Sequence, residues 1–282
     1  MSKLGLVLSG GGAKGCYQVG AIKALEELNV KPDIVCGVST GNLQAVMVAQ
    51  NKYKELYELW DNIKERDILK KSDSLFSIGW KYFFRKFGTK VPSSIYDFSP
   101  LRSLIEKNIT YKFNIPFRCG VTQLESGLYY SITENHDLLK DFIYASAVMP
   151  GYGKPVEIKG RHYIDGGVRN ITPFKEAVDF GCDEIIIVLC SPLGINQWEY
   201  SSSIVDIAER SLSIILNEIY NEDLSYMGFL NMYSDELRGV RKIKCTVIAP
   251  QKEPIGTLEF NQDKIQIGID VGYSDTMKKM GQ

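Results

Sequence analysis

Histidine is nearly missing from this chain, with only His136 and His162 in 282 residues. Any chemistry that needs an imidazole base or an imidazole-rich metal site must draw on those two. A charge of one sign is missing as well. Thirty-three Lys and Arg face 34 Asp and Glu, and the net charge of −1 argues against general attraction to nucleic acid. No CxxC pair occurs. The six cysteines (16, 36, 119, 182, 190, 245) are scattered, and Cys36 and Cys190 fall in apolar runs that read as buried strands. A disulfide framework or zinc site is therefore not expected, and reduced thiols suit a cytoplasmic setting. No uninterrupted apolar run approaches the ~20 residues of a membrane span. The apolar run before the first glycines is too short for a signal-peptide core, so the expectation is a soluble protein that can still work at a membrane surface. Acidic residues near the glycine motifs are too few for the 6–8 oxygen ligands of calcium, and no metal or cofactor is expected.

What remains is ordinary globular material, 44% hydrophobic and 24% charged, enough to bury one sizeable core. A single domain over 1–282 is expected. Leu4–Leu8 (LGLVL) is a short apolar run ended by Ser9-Gly10-Gly11-Gly12, and Tyr17–Leu28 then carries apolar residues at helical spacing. After Pro32, Ile34–Val38 reads as a second buried strand, followed by a serine turn and a helix over Asn42–Gln50. Cys119–Gln123 and Leu128–Thr133 flank Glu125-Ser126-Gly127 as a hairpin, and Glu184–Cys190 is a β-branched run suited to mid-sheet. Ile204–Leu230 reads as a long helix or helix pair whose apolar residues form a packing face, and Lys242–Ala249 as a late strand. The alternation of strand and helix predicts an α/β layered domain with a mostly parallel sheet, its ligands at the carboxyl ends of strands.

Two glycine features sit at such ends. Gly10-Gly11-Gly12-Ala13-Lys14-Gly15 satisfies G-x-G-x-x-G between a strand and a helix, so a Rossmann-type dinucleotide-binding module is one reading. The acidic residue that would hold a ribose is missing, because the second strand ends in Gly37-Val38-Ser39 and Asp33 lies before it. A Walker loop fails too, since Gly15 follows Lys14. Glycine N–H groups at a helix start suit any anion, including the oxyanion of acyl transfer. The second feature, Gly37-Val38-Ser39-Thr40-Gly41, matches G-x-S-x-G in the strand-to-helix context that a presented serine nucleophile requires. A plain tight turn would use the same residues.

A serine needs a base. His136 lies in a polar loop, and His162 stands three positions before Asp165, an odd offset that puts the two on opposite faces of a strand. Asp165-Gly166-Gly167 ends an apolar-flanked segment, and on its residues alone the triplet reads as a turn.

Taken in order, Ser9–Gly15, Gly37–Gly41 and Asp165–Gly167 resemble the patatin-like phospholipases, and so do Ala145-Ser146-Ala147-Val148-Met149-Pro150 and the Glu125-Ser126-Gly127 turn. The resemblance covers about residues 5–191, with 202–282 completing the domain without a recognisable motif. It implies a three-layer α/β/α fold with a mostly parallel central sheet. It also implies a lipid acyl hydrolase of phospholipase or lysophospholipase type, working through an acyl-enzyme. In that scheme Ser39 is the nucleophile, Asp165 the general base of a Ser–Asp dyad, and Gly10, Gly11 and Gly12 the oxyanion hole. Gly37, Gly41, Gly166 and Gly167 support the motifs, and Lys14 holds the basic position of the glycine motif, where it either positions the loop or attracts an anionic substrate. The implied partner is a lipid or ester.

A lipid substrate directs attention to Trp80, Phe83, Phe84 and Phe87, spaced i, i+3, i+4, i+7, with Lys81, Arg85 and Lys86 largely elsewhere. An interfacial face in peripheral contact with a membrane and a lid or core helix both fit that spacing.

Overall fold

The computed structural model describes residues 2–71, 94–195, 197, 200–234 and 242–281. In the described chain the strands are β1 (Leu4–Leu8), β2 (Ile34–Val38), β3 (Lys70–Lys71), β4 (Tyr96–Asp97), β5 (Phe117–Gln123), β6 (Tyr129–Thr133), β7 (Val156–Ile158), β8 (Arg161–Asp165), β9 (Glu184–Val188) and β10 (Lys244–Ile248). The helices are α1 (Cys16–Glu27), α2 (Thr40–Ala49), α3 (Tyr53–Asn62), α4 (Glu65–Ile68), α5 (Ser99–Asn108), α6 (Leu139–Ser146), α7 (Phe174–Phe180), α8 (Ile204–Met232) and α9 (Gln262–Met280).

The main sheet runs β10-β9-β1-β2-β5-β8-β7, with β6 also paired to β5. Strands β10, β9, β1, β2 and β5 are mutually parallel, and β6, β8 and β7 join antiparallel. Parallel strands are covered on both faces, which is why β2 (IVCGV) is buried at every position instead of alternating with polar residues. The period-two pattern of the strand is still visible in where each side chain goes. Leu6, Leu8, Val35, Ile186 and Val188 belong to one core with α1, α2 and α9, whereas Val7, Ile34, Cys36, Val38, Ile185 and Ile187 belong to a second with α7 and α8. Two cores on opposite sides of one sheet make the three layers expected from the sequence.

The register around β5 positions the site. β2 pairs in parallel with the first half of β5, ending Val38↔Gly120, and β8 pairs antiparallel with the second half, ending Val121↔Asp165. Because β6 occupies the other edge from Arg118 to Thr122, β2 and β8 share one edge. Their carboxyl ends meet head-on at neighbouring positions of β5.

Helix α9 lies against α1 at backbone contact. A Cβ on Gly20 would stand 1.9 Å from the Ile269 carbonyl oxygen, and one on Gly272 2.0 Å from that of Tyr17. Substituting Val for Gly272 should therefore force the helices apart and cost about 1–3 kcal/mol, read as a lower urea midpoint at unchanged m-value.

Candidate active site

Ser39 stands between the last residue of β2 and the first of α2 with φ 55° and ψ −129°, a conformation that side-chain-bearing residues rarely adopt. Its neighbours make the turn possible. A Cβ on Gly37 would lie 2.5 Å from the Gly41 carbonyl oxygen, and one on Gly41 2.3 Å from that of Leu8. The strained turn is held from both sides: the Ser39 N–H donates to Ser146 Oγ at 3.0 Å, and its carbonyl accepts from Asn42 and Leu43 N–H at 3.1 and 3.3 Å. Asn42 Nδ2 in turn donates to the Ile143 carbonyl, tying α2 to α6. Ser39 is consequently almost buried, at the positive end of the α2 dipole.

Asp165 reaches the same point as the last residue of β8. Its carboxylate accepts the Gly167 N–H at 2.7 Å and caps the short 3₁₀ turn Gly166–Val168. Gly166 packs so closely on β5 that a Cβ there would lie 2.4 Å from the Gly120 carbonyl oxygen. Burial raises the Asp165 pKa from the ordinary 3.8 to about 6, while hydrogen bonds from the Ser39 hydroxyl and the Gly167 N–H pull the other way. Removal from water therefore makes this carboxylate a stronger base than an exposed one, while leaving it mostly ionised at neutral pH.

The glycine loop faces this pair. The Gly10 N–H is already donated to the Ile171 carbonyl at 3.1 Å and that of Ala13 to the Thr257 carbonyl at 2.8 Å. Among the described residues no acceptor is present for the N–H groups of Gly11 and Gly12. Of the three glycines expected to act together, Gly10 thus orients the loop, and Gly11 and Gly12 carry the available donors. Buried amides fix the loop's base: Gln18 Nε2 donates to the carbonyls of Ser9 and Val188 at 3.0 and 2.8 Å, and Gln44 Nε2 to Gly15 at 2.9 Å. Lys14 pairs with Glu253 at 3.0 Å.

Two cavities meet at Ser39. The first, about 990 Å³ of unfilled space that includes its open mouth, runs between α2, α3 and α5 and is lined by side chains such as Leu43, Met47, Trp60, Leu101, Ile105 and Phe260, with no charged residue among the described residues. The second, about 1230 Å³, holds the glycine loop, Asp165, Lys14, Arg210 and Glu253. Gly12, Ser39, Met149 and Thr257 line both, so the serine sits on the boundary between an oily compartment and a charged one.

Other expectations fare differently. Neither histidine approaches this centre: His162 Nδ1 lies 2.8 Å from the exposed Glu125 carboxylate, and His136 Nδ1 accepts the Leu138 N–H in its own turn. The segment holding Trp80, Phe83, Phe84 and Phe87 lies outside the described residues. Only part of α8 is a packing face. Tyr220 and Met227 are buried, but Ile214, Ile215, Tyr226, Phe229 and Met232 are exposed. The 29-residue helix is too long for the core beneath it to cover every apolar position. Sequence reading missed Ser146, Gln18, Gln44, Glu253 and Thr257; Ser146 alone had a signal, standing in the Ala145–Pro150 segment. Ser146→Ala should lower kcat about tenfold with KM little changed, since it removes one hydrogen bond that holds the strained serine rather than a reacting group. Steady-state kinetics on a soluble ester would check it.

The patatin-like phospholipase family model matches residues 6–178. Among curated proteins, lysophospholipase nte1 of Aspergillus terreus is 25% identical over 99% of this chain and 18% of its own length, and lysophospholipase NTE1 of Saccharomyces cerevisiae 26% identical over 95% and 16%. The chain thus spans under a fifth of those relatives. Of solved structures, VipD from Legionella pneumophila aligns over 99% of this chain and 67% of its own, with 15% identity and a TM-score of 0.49. With its family model matched over more than half its length, and with a glycine loop, a serine turn and an aspartate lining one cavity, this chain belongs to the patatin-like phospholipase family.

Proposed function

We propose that the chain hydrolyses carboxylic esters of lipids through a Ser39–Asp165 dyad and an acyl-enzyme. The observation that carries this reading is the placement of Ser39 beside a buried Asp165 in one polar, charged cavity and, at the same time, on the lining of a second cavity whose described residues are uncharged and mostly apolar. An acyl chain enters the first and the alcohol half of the ester the second. Asp165 takes the hydroxyl proton as Ser39 Oγ attacks the carbonyl carbon, and the N–H groups of Gly11 and Gly12 receive the developing oxyanion. The proton passes from Asp165 to the departing alcohol oxygen. Water, deprotonated by the same carboxylate, then attacks the acyl-enzyme and frees the acid and Ser39. The names of the NTE1 relatives support a lipid ester as substrate. Among the described residues no helix is long and apolar enough to cross a membrane.

A fluorophosphonate probe tests the nucleophile. Covalent labelling confined to Ser39, together with hydrolysis of at least one member of a panel of phospholipids, lysophospholipids, glycerides and short esters, is the expected result. Saturable binding of a nicotinamide cofactor without labelling would favour the dinucleotide reading instead. Because the base must be ionised, kcat/KM should fall as pH drops through about 6, the raised value of Asp165, and level off above it.

A further inference from the structure

Lys14 and Glu253 come from opposite ends of the chain and form an ion pair inside the polar cavity. Lys14 Nζ lies 3.0 Å from Glu253 Oε2, and Ser191 Oγ bridges them, accepting from Lys14 Nζ at 3.4 Å and donating to Glu253 Oε2 at 3.3 Å. The lysine side chain is only 13% exposed and the glutamate 37%, so the cation is the more deeply set of the two. Both line the cavity that holds Ser39 and Asp165. The glutamate is also held in place by its surroundings, since the same loop supplies the Thr257 carbonyl to the Ala13 N–H, fixing the loop to the glycine motif two residues from Gly11.

We propose that Glu253 is a specificity-determining residue that selects against esters whose alcohol half is a net anion. The proposal rests on the hydrolase reading given above, with the alcohol half in the polar cavity. Lys14 alone would draw any phosphate toward the scissile bond. With Glu253 against it, a net-anionic head group that pairs with Lys14 displaces a carboxylate from it and leaves that carboxylate beside a like charge in a confined space, whatever it gains from Arg210 in the same cavity. A head group whose own positive charge offsets its phosphate pairs with both members of Lys14–Glu253 and meets no such penalty. An uncharged alcohol is indifferent. Selectivity thus comes from a repulsive element built into the site rather than from an added attraction.

The test uses three esters of one acyl-chain length in neutral detergent micelles: lysophosphatidylcholine, lysophosphatidylglycerol and monoacylglycerol. Glu253→Gln keeps a side-chain acceptor for Lys14 while removing the charge. It should raise the ratio of kcat/KM for the phosphoglycerol ester over the phosphocholine ester roughly tenfold, the effect of a partly screened charge, and leave monoacylglycerol within about threefold. The shift should disappear in the Lys14→Gln/Glu253→Gln double variant, because the carboxylate acts by neutralising the lysine. An unchanged ratio in Glu253→Gln would overturn the proposal, and so would a shift that persists without Lys14. Equal loss on all three esters, with a lower melting temperature, would reduce Glu253 to a structural tie and overturn it as well. If the unaltered protein cleaves none of the three and resists the fluorophosphonate, the hydrolase reading itself falls and takes this one with it; labelling with unchanged ratios removes this one alone.

Discussion

Asp165→Asn is expected to lower kcat by about four orders of magnitude and, at the same time, to make the protein harder to melt. The loss follows from the proposed dyad acting as a unit: Ser39→Ala should cost at least as much, and the double variant hardly more than either, since groups sharing one proton transfer are grossly non-additive. The gain follows from linkage. A carboxyl whose folded pKa is raised, here from 3.8 to about 6, favours the fold fully below its unfolded value, and that contribution is lost as pH rises through about 6. At pH 8 the ionised Asp165 therefore stands at a cost of about 3 kcal/mol that neutral Asn escapes, less whatever the amide gives up in hydrogen bonding to Ser39 and Gly167. A melting temperature several degrees above the parent at pH 8, with the difference gone near pH 4, is the expected pattern. Near-normal kcat in Asp165→Asn alongside inactivity in His162→Ala or His136→Ala would remove Asp165 as the base.

Gly11→Ala should cost 10²–10³ in kcat with KM little changed, the range for misplacing one oxyanion donor. The Cβ it adds would lie 2.3 Å from Cys190 Cβ, so the loop must shift away from β9's end and carry its N–H off target. The same contact supplies the control. Cys190→Gly removes the obstructing atom, and the double variant should recover much of the lost kcat. Failure of the second change to restore any activity, in a protein that still folds, would show that the glycine is needed for something other than this clearance.

The parallel strands were legible because burial on both faces writes them as continuous apolar runs: β2 occupies Ile34–Val38 as read, and β9 and β10 fall inside their expected spans. Helix α2 begins at Thr40, two residues before the reading, because Gly41 looks like a helix breaker in sequence but is required by its contact with the Leu8 carbonyl. The long segment Ile204–Met232 resolves as one helix. Less was visible at the site. Asp165 reads locally as a turn residue, and it is one, capping Gly166–Val168; only the family resemblance pointed to a second duty for its carboxylate. The apolar cavity had no local signature, since Leu43, Trp60 and Leu101 each follow their own helix's periodicity, Phe260 lies in a loop, and the four converge only in space. Glu253 and Thr257 lie in a loop with no periodicity to read.

The head-on arrangement of β2 and β8 along β5 makes the spacing of Ser39 and Asp165 a property of strand pairing rather than of side-chain flexibility. Distance along a strand comes in steps of about 3.3 Å, and each step turns the side chain to the other face. No small displacement is available between one rung and the next. A one-residue insertion between Gly120 and Val121 should therefore not weaken the pair gradually but disconnect it, carrying the Asp165 carboxyl a full rung away or onto the opposite core. The distance between Ser39 and Asp165 is quantised by the sheet, and its tuning by mutation is confined to the turns at the two strand ends, Gly37–Gly41 and Asp165–Gly167.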